Sequence, residues 1–390
     1  MTTPGRWPAV WLALLLAWGV LSLWIEGRWA WASFEVGVYA IAAWRVISGR
    51  PPALRWASLS LAAAALWPLL QLALGTTLYR GATWSAALDW GTFFLVFILA
   101  KDLFVGRAAR LWFLEAACVF GMSVAITATL GDRIFPGKAF GLFETGFRAG
   151  VMGPFVNRNQ YCAWIELLLP ASLYLAAAKP RLRALFGTAA AVMAGSVVAS
   201  ASRAGTALIG AEIVVVILAL AVRQRGSRRS LAGGAAQFVV LAVIAVFLAG
   251  WQDIWSRWQN SGPEDLRSDA RRASLQMVQA RPWAGSGLGT WSRVYPRYAT
   301  VDRGLFMNQA HNDWLQWAAE GGMPFFLLVF FFVVLSWKPA FQSMYGIGTV
   351  MFLLHALIDY PMQQRPALAA WFFCMAGVAA VWRHGRDLEP

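Results

Sequence analysis

Charge is scarce in this sequence. Aspartate, glutamate, lysine and arginine make up 13% of its 390 residues, about half the share of an ordinary soluble domain, roughly 25%. Hydrophobic residues make up 59%, mean hydropathy is +0.54, and the apolar residues fall in blocks close to bilayer length, about 20 residues each. Two or three soluble domains, a disordered chain and a coiled coil are all excluded by these figures. An all-α polytopic membrane protein is expected. Cysteine is scarce too: Cys118, Cys162 and Cys374 each sit inside an apolar block and none forms a CxxC pair, which argues against a structural disulfide or a metal site. Acid is scarcer than base, giving a net charge of +14. In a soluble protein that balance would suggest nucleic acid. Here it points to cytoplasmic loops and anionic membrane lipid, with no nucleic-acid partner. No repeat of fixed period is visible, and no low-complexity tract beyond Ala-rich helix.

Apolar segments and tryptophan are what the chain has in quantity. Twelve segments stand out, near 8–25, 29–48, 57–77, 88–105, 111–130, 158–178, 184–201, 204–222, 231–250, 322–337, 343–359 and 367–383. Several tryptophans (Trp7, Trp29, Trp31, Trp84, Trp251, Trp255) fall near segment ends, where indoles favour the interface. Arg6 followed by an apolar run, without a small-residue cleavage site, reads as a first membrane helix rather than a removed signal peptide. With the N-terminus in the cytoplasm, the inner loops collect Arg45, Arg50, Arg55, Arg107, Arg110, Lys179, Arg181, Arg183, Arg223, Arg225, Arg228, Arg229, Lys338, Arg383 and Arg386. Both termini are therefore expected inside. The expected organisation is one transmembrane domain, 1–390, with a large periplasmic loop, 251–321, between the ninth and tenth segments.

Two outer segments break the pattern of short connections, 131–157 and 251–321. The second holds Arg257, Arg267, Arg271, Arg272, Arg281, Arg293, Arg297 and Arg303 and no lysine. Forked guanidinium groups suit phosphate, so the loop reads either as a solvated basic surface or as a cup for an anionic, phosphate-bearing substrate. Within it, 266–280 reads as an amphipathic helix. Leu275 and Val278 would line its apolar stripe with Met277 flanking, and Arg267, Arg271 and Arg272 cluster on the first turns. Gly285-Ser-Gly-Leu-Gly289 follows. No strand precedes it and no GK[ST] follows, which favours a tight backbone turn over a phosphate loop.

The chain has three histidines. His311 stands at the end of the long loop, where a group titrating near neutrality can serve as a general base or simply cap the next helix. His355 precedes Asp359 by four residues, so the two would share a helix face; a buried helix–helix hydrogen bond is the plainer role for His355. His384 lies in the basic tail. Arg203 interrupts an apolar run, as a functional cation or as a snorkelling interface residue. Asn157 is a good N-cap for the sixth segment, and with Arg158 and Asn159 that helix N-terminus can take an anion. Glu35, Glu115, Glu166 and Glu212 fall within apolar segments and should face other polar groups.

Five stretches, in order, resemble the O-antigen ligase and polymerase superfamily. They are Gly153-Pro-Phe-Val-Asn-Arg-Asn-Gln-Tyr161 with Glu166 and Pro170, then Ser202-Arg-Ala-Gly205, then Arg267 with Ala273–Val278 and Arg281–Gly289, then Ala310–Gly322, and finally His355-Ala-Leu-Ile-Asp-Tyr-Pro361. The resemblance spans about Thr77 to Val378. It implies a GT-C-like, largely helical membrane glycosyltransferase in the bacterial inner membrane, with a large outer loop over the active site. Such an enzyme moves a glycan from an undecaprenyl-diphosphate carrier to an acceptor, without metal, nucleotide sugar or other cofactor. The acceptor is a lipid A–core sugar in ligases, another lipid-linked glycan in polymerases and a protein side chain in a third branch. Carried over by motif, His311 would be the base, and Arg203 and Arg267 would hold the diphosphate. Arg271, Arg272 and Arg158 remain alternatives for phosphate, with Asn157, Asn159, Asp313, His355 and Asp359 in supporting roles. Two rivals come from other classes. A polyanionic-lipid transporter would place charge along several mid-membrane helix faces and show repeat symmetry. An assembly scaffold would need no lone histidine in an arginine-rich cup.

Overall fold

The computed structural model describes residues 7–147, 150–223, 255–256, 264–304, 306–363 and 366–382. The expected ninth segment, 231–250, and His384 lie outside the described residues. The protein is an all-α polytopic membrane protein, with seven helices long and apolar enough to cross a bilayer and further shorter apolar ones among the described residues. The long apolar runs are rich in Ala and Leu, strong helix formers, and have no polar side chain to compete for the backbone, and in lipid only a helix satisfies every backbone group locally.

The first eight helices are α1 (Trp7–Leu21), α2 (Arg28–Ile47), α3 (Trp56–Ala73), α4 (Arg80–Leu103), α5 (Arg107–Ile134), α6 (Arg158–Ala178), α7 (Arg183–Ala199) and α8 (Arg203–Arg223). Four more of nine residues or longer follow among the described residues: α9 (Glu264–Ala280), α10 (Asp313–Gln342), α11 (Ile347–His355) and α12 (Pro366–Ala380). Helix α6 is central. Every residue from Gln160 to Ser172 on it is buried, as expected for a helix that is apolar all round, and it packs against α5, α7, α8, α11 and α12. Among the described basic residues of the expected inner loops, Arg45 at the end of α2 pairs with Asp102 at the end of α4, and Lys179 at the end of α6 pairs with Glu115.

Three segments differ from their hydropathy. Helix α4 begins at Arg80 rather than near 88, because its polar first turns are covered by the long loop: Thr83 is buried and its hydroxyl donates to the Leu288 carbonyl at 3.0 Å. The tenth segment is continuous with the helix after His311. The whole of α10 is interrupted only at Gly322, whose φ of 70° and ψ of 176° break the helix. The connection 131–157 carries a two-residue hairpin, β1 (Lys138–Ala139) against β2 (Phe143–Glu144).

The long loop has a small core of its own. Ala270, Ala273 and Met277 on α9 pack with Trp291, Val294, Tyr295, Ala310 and Ala319. The expected stripe on α9 is therefore corrected: Leu275 is 53% exposed, and Met277 is buried instead. Leu266, Ala270, Ala273 and Met277 follow the three-to-four spacing of one helix face, whereas Leu275 sits two residues from Ala273 and so points elsewhere. Asp269 anchors this core. It accepts from Tyr295 Oη at 2.7 Å, Thr300 Oγ1 at 2.6 Å and Arg272 Nη2 at 2.6 Å. Burial alone would raise its carboxyl, but these donors hold it well below the usual carboxylate range.

The glycine segment is a buttress. Each backbone N–H from Gly285 to Trp291 is already used, to Arg281 O, Ala319 O, Glu320 O, Gln71 Oε1, Glu320 Oε2, Gly287 O and Glu320 Oε1 in turn. No amide is left to cradle a phosphate. Gly285 and Gly287 have φ of +65° and +105°, and a Cβ on Gly285 would meet the Glu320 carbonyl oxygen at 2.1 Å. The turn thus docks the loop onto the kink of α10 and onto α3, whose Gln71 also donates to Ala284 O and Glu320 O.

Candidate active site

Helices α6, α8 and α10 all begin at the loop end of the bundle, and their N-termini meet the turn that follows α11. Asn157 caps α6 by accepting from the Asn159 N–H at 2.9 Å, and Asn312 caps α10 by accepting from the Leu315 N–H at 2.9 Å. Short side chains with a carbonyl oxygen suit that role. The cap is Asn312 and not His311, so the capping alternative for the histidine does not hold. His311 precedes the cap with φ of 53°, a left-handed conformation that costs a non-glycine residue of the order of 1 kcal/mol or more.

This geometry turns the His311 ring toward Asp359. His311 Nδ1 lies 3.2 Å from Asp359 Oδ1, and the ring packs edge-on against Tyr360 at 4.6 Å between centroids. Asp359 is buried, while the histidine side chain stays 17% exposed. The other carboxylate oxygen accepts from Asn159 Nδ2, whose own Oδ1 accepts from Ser202 Oγ at 2.8 Å. Asn157 Nδ2 donates to Tyr360 Oη at 3.1 Å. Burial pushes the Asp359 carboxyl up, but the His311 contact and the nearby cations His355 and Arg267 more than offset it and hold the group below its ordinary value. An ionised Asp359 can only accept a hydrogen bond. In the neutral imidazole this contact puts the hydrogen on His311 Nδ1 and the lone pair on Nε2.

The pairing of His355 with Asp359 on one helix face is corrected. Helix α11 ends at His355, with Pro361 shortly beyond, and the chain leaves the helix before Asp359. Asp359 N–H still bonds to the His355 carbonyl at 2.9 Å, yet its side chain goes to His311. His355 points inward to Glu166 Oε1 at 2.8 Å, the buried helix–helix hydrogen bond. Asp313 is also not at the mouth. It is fully buried, accepts the Met362 N–H at 3.0 Å, and its own N–H donates to Ala356 O at 2.9 Å, so it fixes the turn that presents Asp359.

The arginines divide. Arg267 is exposed on the first turns of α9 and lies close enough to act on the charges of both Asp359 and Tyr360. Arg271 is exposed one turn further on. Arg272 is held inside the loop by Asp269, Tyr298 O and Thr300 Oγ1. Arg158 and Arg203 are the first residues of α6 and α8, next to Asn159 and Ser202 of the network, and both helix N-termini add partial positive charge there. Of the expected acidic residues, Glu35 pairs with Arg28 at 3.2 Å and Glu115 with Lys179. Tyr360 and Ser202 were not singled out from sequence as site residues; each lay inside a quoted motif, beside a residue that was.

Residues 188–330 match the family model described as O-antigen ligase. The matched stretch holds Arg203, Arg267, Arg271, Arg272, His311 and Asp313. Asn157, Asn159 and Asp359 lie outside it and join the site through the fold. No curated protein matches the chain.

Proposed function

With residues 188–330 taken as an O-antigen ligase domain, we propose that the chain transfers a glycan from an undecaprenyl-diphosphate carrier to an acceptor sugar at the periplasmic face of the bacterial inner membrane. The observation that carries this reading is the partly exposed His311 held by a buried carboxylate, with the cation of Arg267 near that carboxylate. An acceptor hydroxyl approaches His311 Nε2 and attacks the anomeric carbon. The bond from that carbon to the diphosphate oxygen breaks, and the electron pair leaves with the diphosphate. The hydroxyl proton passes to Nε2. Asp359 keeps the ring in the right tautomer and stabilises the imidazolium that forms, the role a carboxylate plays behind a catalytic histidine.

Charge grows on the leaving diphosphate, and fixed donors aimed at it lower the barrier without reorganising. Arg267 and Arg203 are assigned that task, with Arg158 and Arg271 next to them. Arg272 is assigned to the loop's own structure. Both termini are placed in the cytoplasm.

A ligase and a polymerase of this superfamily differ in acceptor, and the product that accumulates in a deletion strain separates them. Unattached polymer on carrier lipid is the expected result and means ligase. Single carrier-linked repeat units mean polymerase. No change in any carrier-linked glycan removes the transferase reading.

A further inference from the structure

Below the His311–Asp359 pair lies a second group of ionisable side chains. Glu166 on α6, Glu212 on α8 and His355 at the end of α11 are all fully buried, and the three helices pack against one another. His355 Nδ1 meets Glu166 Oε1 at 2.8 Å. Four further polar atoms in the group have no hydrogen-bond partner among the described residues: both carboxyl oxygens of Glu212, Glu166 Oε2 and His355 Nε2. Glu212 is near enough to Glu166 for their charges to repel.

An unpartnered carboxylate sealed in an apolar interior costs many kcal/mol if it stays charged. Glu212 is stable there only as the neutral acid. The remaining pair shares one proton between histidine and carboxylate, and the Asp359 N–H bonds back to the His355 carbonyl at 2.9 Å, which keeps Asp359 close enough to feel a charge on His355. Ionisable residues at such depth are rare and costly, and the proposed transfer chemistry uses none of these three.

We infer that Glu166, Glu212 and His355 form a buried proton-binding site that sets the proton affinity of His311 through Asp359. His355 is a positioning residue in this scheme: it touches neither glycan nor diphosphate. Its charge competes with that of His311 for the same carboxylate. The charged groups that act on His355 are Glu166 from α6 and Asp359 from the following turn, and Glu212 from α8 acts on Glu166. The consequence for rate rests on the transferase reading; the electrostatic link does not.

The link is measurable without substrate. The chain has three histidines, so full-length protein with ring-labelled histidine gives three NMR signals, assigned by single His→Gln replacements. His355→Gln should raise the midpoint of the His311 titration by roughly half a pH unit. Glu166→Gln should raise it similarly, because His355 loses its counter-charge. Glu212→Gln, isosteric with the neutral acid, should leave it in place. Dicyclohexylcarbodiimide, which reacts with protonated carboxyls in apolar surroundings, should label Glu212 in the wild type and lose that label in Glu212→Gln. An unmoved His311 midpoint in folded His355→Gln and Glu166→Gln overturns the link, and where one of these fails to fold the other decides. A Glu212→Gln shift as large as theirs, or an unlabelled Glu212, overturns the neutral-acid assignment. Transfer activity plays no part in either readout, so a failure of the transferase reading shows separately, in His311→Ala retaining wild-type transfer.

Discussion

His311 and Asp359 stand 48 positions apart in the chain, and their side chains meet at 3.2 Å. The contact joins the residue just before the α10 cap to the turn after α11, and it orients a partly exposed imidazole. In the proposed role of general base, His311 should contribute roughly 10²–10⁴-fold to the rate. His311→Ala should lose that much transfer while carrier-lipid binding survives. Asp359→Asn should lose a large part of it with the fold intact, because an amide also allows the wrong tautomer. Purified His311→Ala turning over at the wild-type rate would end the assignment.

Arg267 and Arg272 sit five residues apart on one helix and should fail differently. Arg267→Ala should abolish or severely reduce transfer without changing thermal stability, and Arg267→Lys should recover part of it, since lysine offers a point charge and no fork. Arg272→Ala should loosen the loop, seen as faster limited proteolysis around Thr300, whose hydroxyl shares the Asp269 oxygen with Arg272. Arg203→Ala should behave like Arg267→Ala; full activity in it would take Arg203 out of the mechanism.

The loop core should weaken in acid. Asp269 titrates below its ordinary value in the fold, so it contributes stability that is fully present above the ordinary carboxylate pKa, about 4, and is lost as pH falls through the folded value. Proteolysis of the loop at falling pH measures this. Asp269→Asn should remove the dependence and cost roughly 1–3 kcal/mol by stranding buried donors.

Gly285→Ala should destabilise rather than merely weaken substrate binding. The new Cβ meets the Glu320 carbonyl oxygen at 2.1 Å on a backbone with φ of +65°, and the loop would have to lift from the α10 kink. A drop in melting temperature with transfer falling in parallel is expected. Normal stability with lost substrate affinity would point instead to a phosphate-binding turn.

Orientation is testable with single cysteines. An impermeant thiol reagent should mark Asp302→Cys in cells whose outer membrane is permeabilised and should miss Arg181→Cys, both exposed positions. The reverse pattern would invert the topology and move the proposed site to the cytoplasmic side.

The sequence by itself determined the class of protein. Low charge and bilayer-length apolar blocks leave no soluble alternative, and eleven of the twelve expected segments correspond to described helices. It also determined the ends of several helices, because caps such as Asn157 and punctuation such as Gly322 act over a few residues. It named His311, Arg267 and Asp359 without saying which of them meet. Tertiary structure alone decided that Asp359 serves His311 while His355 turns inward to Glu166, because the last turn of α11 ends between them and a helix-face argument no longer applies. Only the packed loop separated Arg267 from Arg272, since two arginines five residues apart on a helix look alike until Asp269 is buried beside one of them. The same holds for Leu275 and Met277: which apolar side chain is covered depends on where Trp291 and Tyr295 stand, and no local pattern in the chain carries that distance.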